Sequence, residues 1–438
     1  MKSSFYNHEE NNGNNYILYN CRSDELVFLN KELRDIWIAY STSNVDEIEN
    51  VHPDFYEYLT NKGFVVPKSL DEQADFLAKL KEEDKREDSF SIIVNPTLDC
   101  NMRCWYCYEK HISNSCMSKA VMDSILKLAC TKVANPKFKK ITISFFGGEP
   151  LLAFDECVFP LLQELDHLCI RENKSFFVSF TSNSFLLNED IMSKLCTLHL
   201  AQPVNWQITL DGGRSIHNKT RHTETCHDTY DTIVKNIHRI LASQMSVLVR
   251  LNYRNKTILS FLDVIDSFKE IAPKCGNALH FCFQQIWQDV CHNNDYDSFN
   301  QEFLNVKKAF ESAGLALISN IDVPIRCYAD SPNSVVINYD GNIFKCTAQD
   351  FKKELSEGVL DKNGDIEYNA IYHERMNSKY ANMTCLSCKI YPLCFGGCSQ
   401  KLLYNHNKCF RNLDSDGITK AIRQRILFLT ENINKQKH

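Results

Sequence analysis

Six apolar segments recur between residues 90 and 286: FSIIVNPT (90–97), the front of KKITISFFGGEP (139–150), SFFVSFTSN (175–183), VNWQITLDG (204–212), SVLVRLNY (246–253) and LHFCFQQI (279–286). Stretches with helical spacing separate them, among them 119–131, 187–198 and 229–242. Strands that alternate with helices build a parallel sheet, because a parallel return needs a connection of helix length. The pattern predicts an α/β fold with a six-stranded partial barrel. In such folds chemistry gathers at the carboxyl ends of the strands.

The residues that close each strand are therefore the place to look. The first strand runs into CNMRCWYC, with Cys100, Cys104 and Cys107 at C-x3-C-x2-C spacing and the aromatic Tyr106 before the last thiol. Thiolates suit soft metals and iron–sulfur clusters. A structural zinc site closes with four protein ligands. Three cysteines on one tight loop can instead hold three irons of a [4Fe–4S] cube and leave the fourth open to a small bidentate ligand. The second strand ends in GGEP, Gly147–Pro150, where missing Cβ atoms allow close backbone approach. The third ends in TSNSFLL (181–187), the fourth in TLDGGRSIHNKTR (209–221), and the fifth contains RLN (250–252).

The chain has 20 cysteines in 438 residues. The N-terminus, MKSSFYNHEENNGNN, is polar and acidic with no signal-peptide core, and no apolar run has the length of a membrane span. A cytoplasmic location is the expectation, and in a reducing compartment metal-bound or catalytic thiols are expected rather than disulfides. A net charge of -6 gives no electrostatic reason to expect nucleic acid. A second group of thiols lies in the last third: Cys327, then Gly341 and Cys346, then Cys385-x2-Cys388-x5-Cys394-x3-Cys398, and finally Cys409. Cys21, Cys116, Cys130, Cys157, Cys169, Cys196 and Cys226 read as packing residues. Cys275, Cys282 and Cys291 lie near or after the last barrel strand, and Cys282 is placed by alternation toward the lumen.

The CxxxCxxC loop, followed by GGEP at the next strand end, resembles the radical S-adenosylmethionine (SAM) superfamily. That resemblance implies a partial (β/α)6 TIM-type barrel, a SAM-chelating [4Fe–4S] cluster on Cys100, Cys104 and Cys107, and a 5′-deoxyadenosyl radical that removes an unactivated hydrogen atom. It also implies that Gly147, Gly148, Glu149 and Pro150 meet the SAM amino group, with Glu149 as its charge partner. Ser182 and Asn183 would contact the ribose, although Ser184 stands where the family pattern has glycine. TLDGGRSIHNKTR is similar to a stretch found in peptide and sulfatase maturases. By that match Thr209 and Arg221 bind the SAM carboxylate, Arg221 through its two-pronged guanidinium. Arg250 and Asn252 belong to a further SAM-side strand. Asp211 is read as a turn residue, and His217 as a group that orients this loop.

The C-terminal thiols resemble the seven-cysteine SPASM domain. The resemblance implies two auxiliary [4Fe–4S] clusters, one on Cys385, Cys388, Cys394 and Cys409 and one on Cys327, Cys346 and Cys398. The segment CYADSPNSVV lacks the eighth cysteine that some relatives place a few residues after the first. The second cluster is therefore expected to have an iron open to a substrate thiolate or to a non-cysteine ligand.

Ahead of the barrel, YILYN, ELVFL, two helical stretches (KELRDIWIAYS and HPDFYEYLTNKG) and FVV give the order strand–strand–helix–helix–strand, with residues 1–15 expected to fray. The order resembles the winged-helix-like recognition element of ribosomal-peptide maturases, which captures a leader by strand addition. The expected domains are a leader-recognition unit (1–72), a helical linker (73–89), the radical SAM barrel (90–310) and the SPASM domain (311–438). The expected function is modification of a ribosomally made precursor peptide by hydrogen abstraction and thioether, C–C or C–O crosslinking, with a flavodoxin- or ferredoxin-type electron donor. The alternative is an anaerobic sulfatase maturase that makes formylglycine. Against it, Thr347 follows Cys346 where such maturases carry an aspartate base. Asp350 and Asp289 remain as candidates for proton removal. A binding-only module with a decayed radical site is disfavoured by the intact CxxxCxxC, GGEP and Arg221.

Overall fold

A computed structural model describes residues 1–11, 16–289, 296–318, 326–403, Cys409 and 413–435. The six apolar segments are strands β1 (Ser89–Asn95), β2 (Lys140–Phe145), β3 (Ser175–Ser182), β4 (Asn205–Leu210), β5 (Ser246–Tyr253) and β6 (Leu279–Gln285). Each pairs in parallel with the next, as the alternation of strand and helix requires. Every second side chain turns outward under the helices: Ile92 and Val94 on β1, Ile141 and Ile143 on β2, Val247, Val249 and Leu251 on β5, all buried. A ladder of stacked rings joins three strands, with centroids 5.1 Å apart for Phe145–Phe180 and 4.5 Å for Phe180–Trp206. Truncating one of these large buried rings to alanine costs about 3–5 kcal/mol. The intervening helices start where polar caps allow. Ser118 accepts from the Val121 N–H ahead of Lys119–Val133, and Asn188 accepts from the Ile191 N–H ahead of Glu189–Leu195.

The sheet does not stop at β1. Strand β7 (Ser334–Asn338) lies parallel to it, with Ser334 opposite Ser91 and Asn338 opposite Asn95. Three short antiparallel strands come next, β8 (Asn342–Phe344), β9 (Gly358–Leu360) and β10 (Ile366–Tyr368). The ten-stranded order is β6-β5-β4-β3-β2-β1-β7-β8-β9-β10. The whole sheet belongs to one of two compact units, Arg86–Asn320 with Asn333–Tyr372.

The other unit is Met1–Lys85 with Ile321–Pro332 and His373–His438. Residues 1–11, expected to fray, instead form strands: Lys2–Ser3 pairs with Val65–Val66, and Asn7–Asn11 pairs with Tyr16–Asn20, which pairs with Glu25–Leu29. The cause is a buried polar network rather than apolar periodicity. Asn20 is fully buried, and its amide donates to Ser4 Oγ (3.0 Å), Asn7 Oδ1 (2.8 Å) and Gly63 O (3.1 Å). Three helices come after these strands, Lys31–Tyr40, the unanticipated Glu47–Val51, and Pro53–Asn61, around Trp37, Ile48, Phe55 and Leu59. Helix Glu72–Asp84 is tied into this unit at both ends. Glu72 accepts from Ser4 Oγ (2.5 Å) and the Phe5 N–H (2.8 Å), while Asp84 pairs with Arg326 and with Lys379 (3.1 Å). The last helix, Ser415–Lys435, packs Ile422 and Ile426 against Tyr6, Ile17 and Tyr19. No helix among the described residues is long and apolar enough to cross a membrane.

Candidate active site

The cysteine loop and the GGEP turn are pressed together. Gly148 N–H donates to Thr97 O (3.1 Å) and Glu149 N–H to Asp99 O (2.8 Å). A Cβ on Gly148 would stand 2.0 Å from Asp99 O, and Gly147 holds φ at +99° with room for no side chain against Thr97 O. The glycines are thus required by the contact of this turn with the backbone just before Cys100. Cys100 is buried, Cys104 half-buried and Cys107 exposed. Although the Cys107 residue as a whole is exposed, the protein packed around its sulfur and the nearby Glu109 push its thiol up to about 11, and burial raises Cys100 and Cys104 as well. Three thiolates here need positive charge beside them, which a bound iron–sulfur cluster supplies. In that respect the donor set fits the group implied for it.

Glu149 is fully buried and is the centre of a second knot. Its carboxylate accepts from Ser182 Oγ (2.7 Å), the Asn183 N–H (2.7 Å) and the Leu151 N–H (3.0 Å), while burial raises its pKa. Pro150 opens the short helical turn Pro150–Ala153. Asn183 donates from its amide to Asn101 Oδ1 (2.7 Å), which leaves Asn101 Nδ2 buried without a partner. The ends of β1, β2 and β3 therefore meet around Glu149. Ser182 and Asn183 are both buried, and the Ser182 hydroxyl is engaged by Glu149.

The third knot joins the ends of β4 and β5 to the cysteine loop. Arg221 donates from Nε to Asp211 Oδ2 (2.9 Å) and from Nη2 to Tyr106 Oη (2.8 Å). Tyr106 donates to Asp211 Oδ1 (2.6 Å) and accepts from Asn252 Nδ2 (3.1 Å), and Arg250 Nε donates to Asn252 Oδ1 (3.0 Å). Tyr106, Arg221, Arg250 and Asn252 are thus brought into one network. Thr209, Arg250 and Cys282 occupy one row across β4, β5 and β6. Asp211 is more than a turn residue: it is the buried anion that holds Arg221 and Tyr106 in place. A polar residue at a strand end, ten positions before an arginine, was the available signal. His217 is fully buried, and burial with the Arg221 charge holds it well below the ordinary imidazole range. Its Nδ1 accepts from the Asp211 N–H (3.3 Å), so it positions this strand end as a neutral ring. A cavity of about 380 Å³ opens beside the network, lined by Trp105, Asp211, Lys219, Asn252, Arg254 and Ile286.

Asp350 accepts from the Lys110 N–H (3.3 Å) and pairs with Lys352 (3.0 Å), and Tyr108 Oη donates to Thr347 O (3.0 Å). Residues 347–350 therefore sit against the segment just after Cys107. That segment carries Glu109, which no sequence motif marks. Its Oε2 is out of water without a partner, and burial with the Asp350 charge pushes its pKa up to about 8. Only the spacing of Glu109 behind the cysteine motif could have flagged it. Asp289 ends the short turn Trp287–Asp289, and its side chain lies outside the described residues, as does Cys291.

In the other unit Cys385, Cys388, Cys394 and Cys409 line a single cavity of about 520 Å³. Four thiols on one cavity fit the donor set of an iron–sulfur cluster. Among the described residues no three His, Cys, Asp or Glu side chains gather about one point as a single metal ion requires. A four-iron cube is wider than an ion and holds its sulfurs further apart. Cys327 and Cys398 belong to this unit and Cys346 to the barrel unit.

Residues 94–266 match the family model of the Radical SAM superfamily. The chain is 21% identical over 419 residues to the radical SAM cyclopropyl synthase TigE of Paramaledivibacter caminithermalis, covering 82% of this chain and 84% of TigE. It is 26% identical over 369 residues to the cysteine-type anaerobic sulfatase-maturating enzyme of Clostridium novyi, covering 75% and 92%. Among solved structures, anSMEcpe with bound AdoMet and Kp18Cys peptide aligns with a TM-score of 0.57 at 18% identity, over 79% of this chain and 98% of that one. SuiB of Streptococcus suis bound to precursor peptide SuiA aligns with a TM-score of 0.52 at 15% identity, over 94% and 99%.

Proposed function

Taking as premise that this chain is a radical SAM enzyme, we propose that it modifies a ribosomally made precursor peptide, forming a thioether, C–C or C–O crosslink after hydrogen abstraction. The observation that carries this reading is the extent of the structural likeness. The match to SuiB, whose structure holds a precursor peptide, spans 94% of the chain, against 79% for anSMEcpe. The N-terminal sheet and helices are the part of this chain suited to hold a leader, with residues 1–72 as the recognition unit and the strand edge as the capture surface.

Within the barrel, Cys100, Cys104 and Cys107 hold the SAM-binding cluster. When bound, SAM and that cluster supply the hydrogen-abstracting radical, chemistry no side chain provides. The residues of the chain then orient and exclude. Glu149, fixed by three donors, meets the SAM amino group at its carboxylate. Thr209 and Arg221 receive the SAM carboxylate, with Asp211 holding the guanidinium in register. Ser182 and Asn183 border the ribose, and Arg250 and Asn252 complete the wall. Two auxiliary clusters lie on Cys385, Cys388, Cys394 and Cys409 and on Cys327, Cys346 and Cys398. Asp350 is the candidate for taking a proton at its carboxylate, with Asp289 as the second. A flavodoxin- or ferredoxin-type donor delivers the electron, and the enzyme works in the cytoplasm.

The identity to the Clostridium novyi maturase favours a second reading, formylglycine formation. Thr347 after Cys346 weighs against it, although Asp350 stands close by in the same segment. The test is anaerobic. Reconstituted enzyme receives SAM, a reductant and peptides encoded beside its gene, each with and without its leader. Mass spectrometry tracks 5′-deoxyadenosine and peptide mass. Leader-dependent loss of hydrogens establishes a crosslinking maturase. An aldehyde on a sulfatase-type peptide, with the neighbouring peptides unchanged, establishes the alternative.

A further inference from the structure

Cys116 and Cys157 read from the sequence as packing residues, yet their sulfurs stand 3.1 Å apart although 41 positions separate them in the chain. Both belong to the barrel unit. Only about 1 Å of further approach separates such a contact from a disulfide bond. Both thiol hydrogens have acceptors elsewhere: Cys116 Sγ donates to Glu156 Oε2 (3.3 Å) and Cys157 Sγ to Met117 O (3.2 Å). Nothing therefore has to leave the space between the sulfurs. Glu156 does not turn the pair into a metal site, since among the described residues no three His, Cys, Asp or Glu side chains gather as a metal ion requires.

Access to the two thiols is unequal. Cys157 is 1% exposed, whereas Cys116 is half-buried. A small oxidant reaches Cys116 first, and Cys157 stands ready behind it. Burial raises both thiols, Cys157 to about 12. Exchange runs through the thiolate, so it should be slow at neutral pH and quicken as pH rises.

The positions of the two residues give the pair a consequence. Cys116 stands at the foot of the cysteine loop, where Thr97 Oγ1 donates to Ser115 O (2.6 Å) and the Met117 N–H to Pro96 O (2.8 Å). Cys157 lies in the π-helical turn Phe154–Val158, directly after Pro150–Ala153. Turns of this type concentrate at functional sites.

We propose that Cys116 and Cys157 form a reversible disulfide by exchange with a low-molecular-weight disulfide, and that this bond pins the foot of the cysteine loop to the helical turn behind GGEP. The Cys116 thiolate attacks one sulfur of the small disulfide and releases one small thiolate. The Cys157 thiolate then attacks the Cys116 sulfur of the mixed disulfide and releases the second. Two protein thiols are oxidised, one small disulfide is reduced to two thiols, and the two protons end on the released thiolates. Inside cells, disulfides of this transient kind sense redox state. The chemistry needs only the thiol pair and is independent of the substrate reading above.

The experiment treats full-length enzyme, reconstituted anaerobically, with oxidised glutathione. Free thiols are then alkylated, the protein is digested, and the peptides are mapped by mass spectrometry. Wild type should yield one joined pair of peptides carrying Cys116 and Cys157, lacking two hydrogens and parted by dithiothreitol, and it should form faster at higher pH. The exposed Cys130 and Cys196 should take up glutathione singly. Cys157→Ser should leave Cys116 as a mixed disulfide, and Cys116→Ser should leave Cys157 unmodified, with far-UV circular dichroism checking both folds. Hydrogen exchange at residues 112–117 should slow in oxidised wild type and stay unchanged in treated Cys157→Ser. Glutathione retained on Cys116 in wild type, or Cys116 joined to another cysteine or left unmodified, would overturn the pairing. A joined pair with unaltered exchange would overturn the pinning.

Discussion

Replacing Gly148 by alanine tests how tightly the GGEP turn grips the cysteine loop. Gly148 keeps a φ outside the left-handed region, so alanine meets no backbone penalty there and the whole effect is contact. The added Cβ would lie 2.0 Å from Asp99 O, 2.6 Å from Asp99 C and 2.8 Å from Leu98 C. These are backbone atoms, and no rotamer change moves them aside. Favourable carbon contacts begin at about 3.5 Å, so the two segments must part by roughly 1 Å. Overpacking of this kind costs about 1–3 kcal/mol. Parting also weakens the Gly148–Thr97 and Glu149–Asp99 hydrogen bonds, each worth about 0.5–1.5 kcal/mol. The expected destabilisation is therefore about 2–6 kcal/mol, together with reduced iron retention, because Cys100 is bonded directly to Asp99. Anaerobic urea unfolding and iron analysis read both. Gly314→Ala is the control: its φ is +74° and nothing stands within 4 Å of an added Cβ. It should cost only the left-handed penalty of about 1–2 kcal/mol. If Gly148→Ala is no less stable than Gly314→Ala and keeps its iron, the tight contact is refuted.

Arg221→Lys cannot reproduce the two-pronged hold on Asp211 and Tyr106, and SAM binding measured by calorimetry should weaken about tenfold or more; unchanged affinity would remove Arg221 from the SAM site. Asp211→Asn leaves the buried Arg221 guanidinium without its anion and should cost about 3–5 kcal/mol in unfolding. Asp84→Asn removes the carboxylate that pairs with both Arg326 and Lys379, 18% and 4% exposed; a loss of similar size, about 3–5 kcal/mol, should appear as a lower Tm. Glu10 is held below its ordinary value of 4.5 mainly by its bond to Arg423. The attachment it gives the last helix is present above pH 4.5 and fades as pH falls through the lower folded value. Hydrogen exchange in Ser415–Lys435 should quicken over that range in the wild type and lose this pH dependence in Arg423→Gln.

The barrel was legible because each of its strands carries its own signal, an apolar run ended by a motif. The motifs also named most of the residues that converge around Glu149 and Arg221, since each closes a strand and parallel strands bring their ends to one side. The strand Asn7–Asn11 was not legible. Its residues are polar, and its start is held by the side-chain hydrogen bond from Asn20 to Asn7, which no periodicity records. Asp211 and Glu109 were misread or missed for a related reason: their importance lies in which charge faces them, and that is decided by segments distant in the chain. The partnership of β7 with β1 was equally hidden, since a short apolar run does not declare which edge it will join.

That last pairing reaches into how the protein is made. Asn95 and Asn338, joined across the β1–β7 seam, are 243 positions apart. During synthesis all six barrel strands emerge while one border of β1 still lacks its neighbour. An unpaired strand border invites pairing with other chains, and contacts so far apart in sequence form late. A shortened chain ending at residue 320 would retain every barrel strand and every motif of the SAM site, yet would keep that border permanently bare. Such a fragment is expected to aggregate where the full chain does not. The segment beyond the barrel thus guards solubility as well as carrying cysteines.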